Sequence, residues 1–287
     1  MAGAATLDLK ASISILRPIN CAMIGFAVII GYFVSKPASV SPETIALGFV
    51  TGFAICAFSM VVNDYYDIEV DRVNQPTRPL PSGQVSKNGA IGIAVLMLAV
   101  GFAATALLMD FVALLIVALY SFLAWLYDFR AKKYGVVGNM VVASSLAIPF
   151  IYGGVISGGE VLDSLLLFMA STSFLAGVGR EVVKAMADVE GDQKRGVRSF
   201  ASVHGLKSAA ALGGVFFLLA VVTSALPLAL ISVNIFYKVG VIVPDVAFVY
   251  LAYRIVTHAD VNGALSVKKT ALLGMLLGLI VFIGGAF

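Results

Sequence analysis

Oxygen-bearing side chains cluster where the second long apolar run of the sequence ends. Five of them fall within nine positions, at Asn63, Asp64, Asp67, Glu69 and Asp71. Read as a helix, the stretch places Asn63, Asp67 and Asp71 on one face because they recur every four residues, and Asp64 borders that face. Like charges clustered on a helix destabilise it unless a cation offsets them. Carboxylate and amide oxygens are the ligands that Mg²⁺ prefers, so the spacing predicts a magnesium site.

A second acidic cluster follows the sixth apolar run. Asp188 and Asp192 stand one helical turn apart, with Glu190 between them. Basic residues lie on both sides of this cluster: Lys184, Lys194, Arg195 and Arg198. A calcium site alone would need no such cations, whereas a diphosphate held by acid-bound metal ions needs both signs of charge. The alternative, that both clusters are only solvated charges at a membrane surface, explains less well why both stand where apolar runs end.

Two further basic segments are candidates for the same chemistry. Arg17 precedes Pro18 at the start of the first apolar run, where it either faces a polar cavity or extends to the membrane interface. The segment 127–133, Tyr-Asp-Phe-Arg-Ala-Lys-Lys, ends the fourth run. It reads either as a phosphate-binding segment or as a basic signal that marks the cytoplasmic side. Asn139 and Glu181 are lesser candidates of the same kind.

Long apolar helices must position these residues. The chain has 287 residues, of which 60% are apolar and 12% charged, against about 25% charged in soluble domains. Apolar runs recur at about 20 residues, the length that a helix needs to cross a bilayer. We predict an all-α polytopic membrane protein, a single domain over 1–287 with nine transmembrane helices. The expected spans are 13–34, 44–63, 89–109, 111–128, 136–157, 162–182, 208–228, 234–254 and 269–287.

The distribution of basic residues orients these nine spans. With the N-terminus in the cytoplasm and the C-terminus outside, only Lys36 and Lys238 of the 19 basic residues fall outside, as the positive-inside rule requires. Both acidic clusters then lie in long cytoplasmic connections, 64–88 and 183–207. These connections follow the second and sixth spans, which indicates an internal duplication of a four-helix unit.

Several other classes of protein fit the sequence less well. Nucleic-acid binding would need a concentrated basic face, and the net charge is only +3. Cys21 and Cys56 both fall inside expected spans, which disfavours a structural disulfide and a cysteine metal site. An ion or lipid transporter should place ionisable residues at mid-membrane depth, whereas these acids gather at one face.

Together the motifs resemble those of the UbiA-type intramembrane prenyltransferases. The resemblance rests on Asn63-Asp64-x-x-Asp67-x-x-x-Asp71 with Asn74 and Arg78-Pro79-x-Pro81-x-Gly83, and on Asp188-x-Glu190-Gly191-Asp192. It also includes Leu16-Arg17-Pro18-x-Asn20 and the segment 127–133. It implies a nine-helix bundle around a central cavity open to the cytoplasmic side, and Mg²⁺-dependent transfer of a prenyl group from its diphosphate.

The resemblance also assigns roles to residues. The metal-binding role falls on Asn63, Asp64, Asp67, Asp71, Asp188 and Asp192, with the four later acids as the catalytic set (Asp67, Asp71, Asp188 and Asp192). The diphosphate-binding role falls on Arg17, Arg72, Tyr127, Lys132, Lys184, Lys194 and Arg198. Acceptor binding is expected at Asn20, Arg130, Lys133 and Asn139. One departure stands out, because many members carry an aspartate where this sequence has Ala185. Either the second metal site has fewer protein ligands, or Glu181 or Glu190 assists it.

The expected donor is geranylgeranyl diphosphate, and the expected acceptor is a lipid phosphate. The first acidic block is most similar to the branch of the family that geranylgeranylates geranylgeranylglyceryl phosphate in archaeal ether-lipid synthesis. An aromatic acceptor in quinone synthesis is the alternative within the family. The expected location is the plasma membrane, in contact with membrane lipids, with the active site on the cytoplasmic side.

Overall fold

The computed structural model describes residues 9–130, 134–194 and 198–286, without the side chains of residues 73, 74 and 192–194. Within these residues the regular elements are helices, as the sequence predicts. They are numbered in chain order: α1 (Leu9–Ser14), α2 (Pro18–Val34), α3 (Pro42–Tyr66), α4 (Ile68–Asn74), α5 (Lys87–Leu107), α6 (Phe111–Phe129), α7 (Val136–Ser157), α8 (Ser164–Ala187), α9 (Val189–Lys194), α10 (Phe200–His204), α11 (Leu206–Leu230), α12 (Ile235–Gly240), α13 (Ile242–Thr257) and α14 (Val261–Gly285).

In the described part of the chain, eight helical segments are long and apolar enough to cross a membrane, with α12 and α13 together forming one of them. They correspond to the second through ninth spans expected from the sequence. The first expected span is divided. It consists of the short α1 and of α2, which at 17 residues is shorter than the others.

Two spans differ from those expected from hydropathy, one in where it starts and the other in being interrupted. The last helix begins at Val261, eight residues before the expected start, because Asp260 caps it by accepting a hydrogen bond of 2.7 Å from the backbone N–H of Gly263. The eighth span is interrupted at Val241, between α12 and α13. Pro244 follows in the first turn of α13, a position that tolerates its missing N–H.

The described helices form two compact units, one comprising Met1–Phe26 and Ser41–Phe129 and the other Ala27–Val40 and Arg130–Phe287. In the first unit, α3 packs against α5 and α6. Its core lies beside the first acidic cluster and includes Phe58, Val61 and Ile68. This packing fixes the end of α3 from which the acidic cluster projects.

In the second unit, α8 packs against α7, α11 and α14. Small residues permit the approach of α7, since a Cβ on Gly177 would lie only 3.1 Å from the Cβ of Ala143. Close packing of small residues is how helices associate in lipid, where no hydrophobic force draws them together. The end of α8, which carries the second acidic cluster, is held by these neighbours.

Candidate active site

The first acidic cluster surrounds a break between two helices. The long helix α3 ends at Tyr66 and α4 begins at Ile68, so that Asp67 alone has non-helical backbone angles, φ −92° and ψ 4°. Its N–H still donates to the Asn63 carbonyl at 3.0 Å, and its own carbonyl accepts from the Asp71 N–H at 2.8 Å. The chain therefore keeps the four-residue spacing read from the sequence, although the helical backbone angles are interrupted at Asp67.

Two buried carboxylates of this cluster are bound by guanidinium groups. Arg17 Nη2 and Asp64 Oδ1 form an ion pair. Arg78 Nη1 lies 3.4 Å from the same oxygen of Asp64 and 2.5 Å from Asp71 Oδ2. The carboxylates are almost fully buried, at 4% and 6% side-chain exposure for Asp64 and Asp71. Two acids and two cations thus neutralise one another in a polar site at the end of an apolar helix.

Arg17 reaches this site from a backbone conformation that is unusual for its residue type. Its φ is 52°, in the left-handed region, which costs a non-glycine residue about 1–3 kcal/mol. Its carbonyl accepts the first hydrogen bond of α2, from Cys21 N–H at 3.2 Å. Pro18 then begins α2, where its missing N–H is harmless. The pair with Asp64 is one contact that holds this strained turn in place.

Asn63 is oriented by a side chain of α6. Its Nδ2 donates a hydrogen bond of 2.7 Å to Asp128 Oδ1. Because the amide nitrogen faces Asp128, the amide oxygen of Asn63 is directed away from it, as a metal ligand requires. Asp128 belongs to the segment 127–133, but no individual role could be assigned to it from the sequence. Buried groups that orient a ligand in this way are a common part of metal sites.

Replacing Asp128 by asparagine is expected to raise the Mg²⁺ concentration for half-maximal activity by about tenfold or more, the usual effect of losing a group that orients a metal ligand. Asparagine keeps the shape but replaces the charged acceptor with a neutral amide. A titration of turnover against Mg²⁺ measures the effect, with Asp110→Asn, in the turn before α6, as the control. An unchanged Mg²⁺ requirement in Asp128→Asn would show that Asn63 is not oriented for a metal.

The second acidic cluster repeats the backbone pattern of the first. The helix α8 ends at Ala187, and Asp188 has φ −103° and ψ 8° before α9 begins. The N–H of Asp188 donates to the Lys184 carbonyl at 3.1 Å. Asp188 thus corresponds to Asp67, which supports the duplication inferred from the sequence. The same correspondence places Ala185 at the position of Asp64.

A buried carboxylate with two cations lies seven residues, about two helical turns, before this second break. Glu181, with only 5% of its side chain exposed, pairs with Arg180 at 3.0 Å and with Lys184 at 3.1 Å. Beside the break itself, Lys268 Nζ lies 4.0 Å from Asp188 Oδ1. Lys268 comes from α14 and was not predicted for the site. In the sequence it is marked only by the pair Lys268-Lys269 at a span boundary.

Three other residues predicted for the site have surroundings that the structure describes. Arg72 pairs with Glu69 at the surface, at 2.8 Å with both side chains more than half exposed. Arg198 is exposed and lines a recess of about 330 Å³ with Tyr134 and His204. Asn139 is half-buried in the first turn of α7, and its Nδ2 is buried and has no hydrogen-bond partner among the described residues.

For three of the other predicted residues the structure gives the position in the fold and the degree of burial. Asn20 is half-buried in the first turn of α2, Tyr127 is half-buried near the end of α6, and Arg130 is exposed. Lys132 and Lys133 lie outside the described residues. No side chain is described for Asp192 or Lys194.

The residues of the first unit fit Mg²⁺ by the chemistry of their donors. Asp67 and Asp71 offer carboxylate oxygens and Asn63 an amide oxygen, and a hard cation prefers oxygen ligands. Among the described residues, no three acidic, histidine or cysteine side chains form a metal site by themselves. Magnesium usually takes one or two protein carboxylates and completes its shell with water and substrate phosphates.

The fold and these clusters define the class of protein. The UbiA prenyltransferase family matches residues 24–268 of the chain. The match covers both acidic clusters and most of the membrane-spanning helices. The chain belongs to the UbiA prenyltransferase family.

Individual relatives narrow the comparison. The chain is 40% identical to digeranylgeranylglyceryl phosphate synthase of Archaeoglobus fulgidus, over 97% of the chain and 96% of the relative. It is 34% identical to the enzyme of that name from Methanocaldococcus jannaschii, over 97% and 96%. The chain is also 32% identical to a solved structure of digeranylgeranylglyceryl phosphate synthase. The TM-score is 0.76, over 97% of the chain and 98% of that structure.

A more distant structure shares the fold. It is a UbiA homolog from Archaeoglobus fulgidus bound to GPP and Mg²⁺, 18% identical, with a TM-score of 0.69 over 95% of the chain and 99% of that structure. The helical architecture is therefore retained where little sequence identity remains.

Proposed function

We propose that this protein transfers a geranylgeranyl group from geranylgeranyl diphosphate to the free hydroxyl of geranylgeranylglyceryl phosphate. The allylic C–O bond of the donor breaks, and diphosphate leaves with the electron pair. The hydroxyl oxygen of the acceptor bonds to the allylic carbon and loses its proton, which forms an ether. The product is digeranylgeranylglyceryl phosphate, the compound after which the relatives are named.

The buried charge cluster at the end of α3 is the observation that carries this proposal. Asp64 and Asp71 are held by Arg17 and Arg78 at the end of a helix that is otherwise apolar. Burying two carboxylates is costly unless they are paired, and here their cationic partners are half-buried and within reach of a ligand, so the cluster indicates a site for a charged ligand. A diphosphate joined to an isoprenoid chain matches both the cluster and its apolar surroundings.

Mg²⁺ is the proposed cofactor. Asn63, Asp67 and Asp71 would hold it in the first unit, and Asp188 and Asp192 are proposed for the same role in the second. When bound, the metal supplies positive charge to the departing diphosphate. Basic side chains add to that stabilisation through charge-assisted hydrogen bonds. The proposed basic set is Arg17, Arg72, Lys132, Lys184, Lys194 and Arg198, and Tyr127 is proposed to contribute its neutral hydroxyl.

Apolar and aromatic walls serve the reaction by excluding water, which would otherwise capture the allylic cation. A largely apolar recess of about 250 Å³ lies beside the first acidic cluster, with Tyr65, Tyr66 and Trp125 in its lining. Trp125 stacks on Phe129, with ring centroids 5.0 Å apart. Such π faces attract positive charge. The isoprenoid chains of both substrates are compatible with surfaces of this type.

The relatives favour a lipid-phosphate acceptor over an aromatic one. They are named as digeranylgeranylglyceryl phosphate synthases, and the chain matches them over nearly their whole length. The acceptor phosphate requires cations beyond those that hold the donor, and Arg130 and Lys133 are the proposed source. Asn20 and Asn139 are proposed as polar contacts for the acceptor. Among the described residues the Nδ2 of Asn139 has no partner, which supports that role, because a buried amide hydrogen without a partner is costly unless a ligand accepts from it.

We also propose that 1–287 is one domain with nine transmembrane helices, including the short α2, around a cavity open to the cytoplasm. Each compact unit combines two separate stretches of the chain, which supports folding as one domain. The positive-inside pattern supports a cytoplasmic N-terminus and an outside C-terminus, and the plasma membrane is the proposed location.

An assay of the purified protein tests the reaction. Labelled geranylgeranyl diphosphate is supplied with geranylgeranylglyceryl phosphate, with its dephosphorylated form or with a hydroxylated benzoate, each in Mg²⁺ or in EDTA. We expect an ether product only with the lipid phosphate and Mg²⁺, identified by its mass. Prenylation of the benzoate instead would assign the chain to quinone synthesis. No metal-dependent product from any acceptor would refute the proposed activity.

A further inference from the structure

Asp64 differs from the other acids of the first cluster in what surrounds it. A single oxygen, Oδ1, contacts both the Arg17 and the Arg78 guanidinium groups. Asp64 is 3% exposed, whereas Asp67 at the helix break is only half-buried. A metal ion bound by Asp64 would have to displace two cations from a nearly closed position.

Arg78 is held so that its guanidinium can exchange partners while its backbone stays fixed. The turn that carries it is closed by hydrogen bonds from Arg78 N–H to Gln75 O and from Val85 N–H to Pro79 O, both at 3.0 Å. Leu80 and Val85 anchor the same turn in the apolar core. The Arg78 side chain itself is 26% exposed, so an incoming anion can reach it.

The second unit contains a similar arrangement, built from different residues. Glu181 is buried and pairs with Arg180 and Lys184 shortly before the break at Asp188. Ala185, at the position equivalent to Asp64, has no carboxylate. The two breaks therefore share a buried acid that holds two cations, although that acid comes from a different position in each. Such a recurrence points to a need for oriented cations at each break.

We propose that Asp64 is a positioning residue that orients Arg17 and Arg78, in place of the metal-binding role read from the sequence, and that Arg78 binds the diphosphate. This inference rests on the proposed function, since it names the groups that hold the same donor. In the free protein, Arg78 neutralises Asp71. When the diphosphate arrives, Arg78 exchanges the Asp71 carboxylate for a phosphate oxygen, and Asp71 becomes available to the metal.

The test separates diphosphate binding from metal binding in the full-length protein. Inorganic pyrophosphate is titrated at saturating Mg²⁺, and Mg²⁺ is titrated at saturating pyrophosphate, both by calorimetry. For Asp64→Asn and Arg78→Gln we expect a pyrophosphate Kd at least about tenfold higher, because charge-assisted hydrogen bonds are lost. We expect the Mg²⁺ half-saturation point of Asp64→Asn to stay within about twofold of the native value, because no metal ligand is removed.

Three further variants sharpen the comparison. Arg78→Lys should recover only part of the affinity, since lysine keeps the charge but lacks the planar fork. The double variant Asp64→Asn, Arg78→Gln should lose less than the sum of the single losses, because the two residues act as one unit. Lys87→Gln, an exposed cation at the start of α5, should bind pyrophosphate as the native protein does.

Two outcomes would overturn the inference. A rise in the Mg²⁺ half-saturation point of Asp64→Asn would make Asp64 a metal ligand, and native pyrophosphate affinity in Arg78→Gln would remove Arg78 from the site. Thermal unfolding of each variant shows whether it is folded when tested. A native protein that binds magnesium pyrophosphate through Arg78 but transfers no prenyl group would refute the proposed function while leaving this inference intact.

Discussion

Replacing Asp67 by alanine is expected to lower kcat/KM for prenyl transfer by about a thousandfold or more, while the protein stays folded. A loss of that size corresponds to about 4 kcal/mol of transition-state stabilisation, of the order measured when one group that stabilises developing charge is removed. Asp67 stands at the helix break, half-buried, with its backbone bonded to Asn63 and Asp71. Alanine preserves these backbone bonds and removes only the carboxylate.

The equivalent change in the second unit, Asp188→Ala, is expected to have an effect of the same order. Steady-state kinetics over a range of Mg²⁺ concentrations measures both variants, and thermal unfolding checks their fold. Glu43→Gln is the control, because Glu43 is an exposed carboxylate at the opposite end of α3. Near-native turnover of Asp67→Ala at limiting Mg²⁺ would show that its carboxylate does not hold the metal.

The apolar spans could be read from the sequence because length and hydropathy alone determine them. Eight of the nine expected spans correspond to helices long enough to cross a membrane in the described chain. Their ends could not be read so well. Capping by a single side chain, such as Asp260 before α14, decides where a helix starts, and charged residues inside the first turns hide that start from a hydropathy average.

The roles of Arg72 and Arg78 show why sequence distance is a poor guide to the site. Arg72 directly follows Asp71, yet neighbouring residues of a helix are rotated by about 100°. Arg72 therefore faces Glu69 at the surface, at 2.8 Å. Arg78 is seven residues further from the helix break than Asp71 but returns to it because the turn 75–85 folds back. No local periodicity predicts that return.

Which acid could replace the aspartate that is missing at position 185 also depends on three-dimensional contacts. From the sequence, Glu181 was a candidate to replace the missing acid at the second metal site. In the structure its carboxylate pairs with Arg180 and Lys184. Lys184 was predictable as a partner, since residues three apart on a helix are neighbours. The burial of Glu181 was not, because it depends on how α8 packs against α7 and α11.

Glu181→Gln is expected to destabilise the protein by about 2 kcal/mol, below the 3–5 kcal/mol typical of breaking a fully buried pair because both cationic partners are partly exposed. Glutamine matches glutamate in shape but cannot neutralise Arg180 and Lys184, which are 25% and 41% exposed. Their charges then repel each other beside α8 without a counter-ion. At about 2–4 °C per kcal/mol for a chain of this size, the melting temperature should fall by about 4–8 °C.

Glu160→Gln provides the matched control in the same unit. Glu160 also pairs with a lysine, Lys36, at 3.7 Å, but both side chains are about 70% exposed, and such surface pairs contribute about 0–1 kcal/mol. Lys36 also keeps its stronger partner Asp163, at 2.7 Å, whose hydrogen bond and charge raise the pKa of Lys36. The melting temperature of the Glu160→Gln variant should therefore stay close to the native value. Equal melting temperatures for the two variants would show that the charge of Glu181 is not what holds the end of α8.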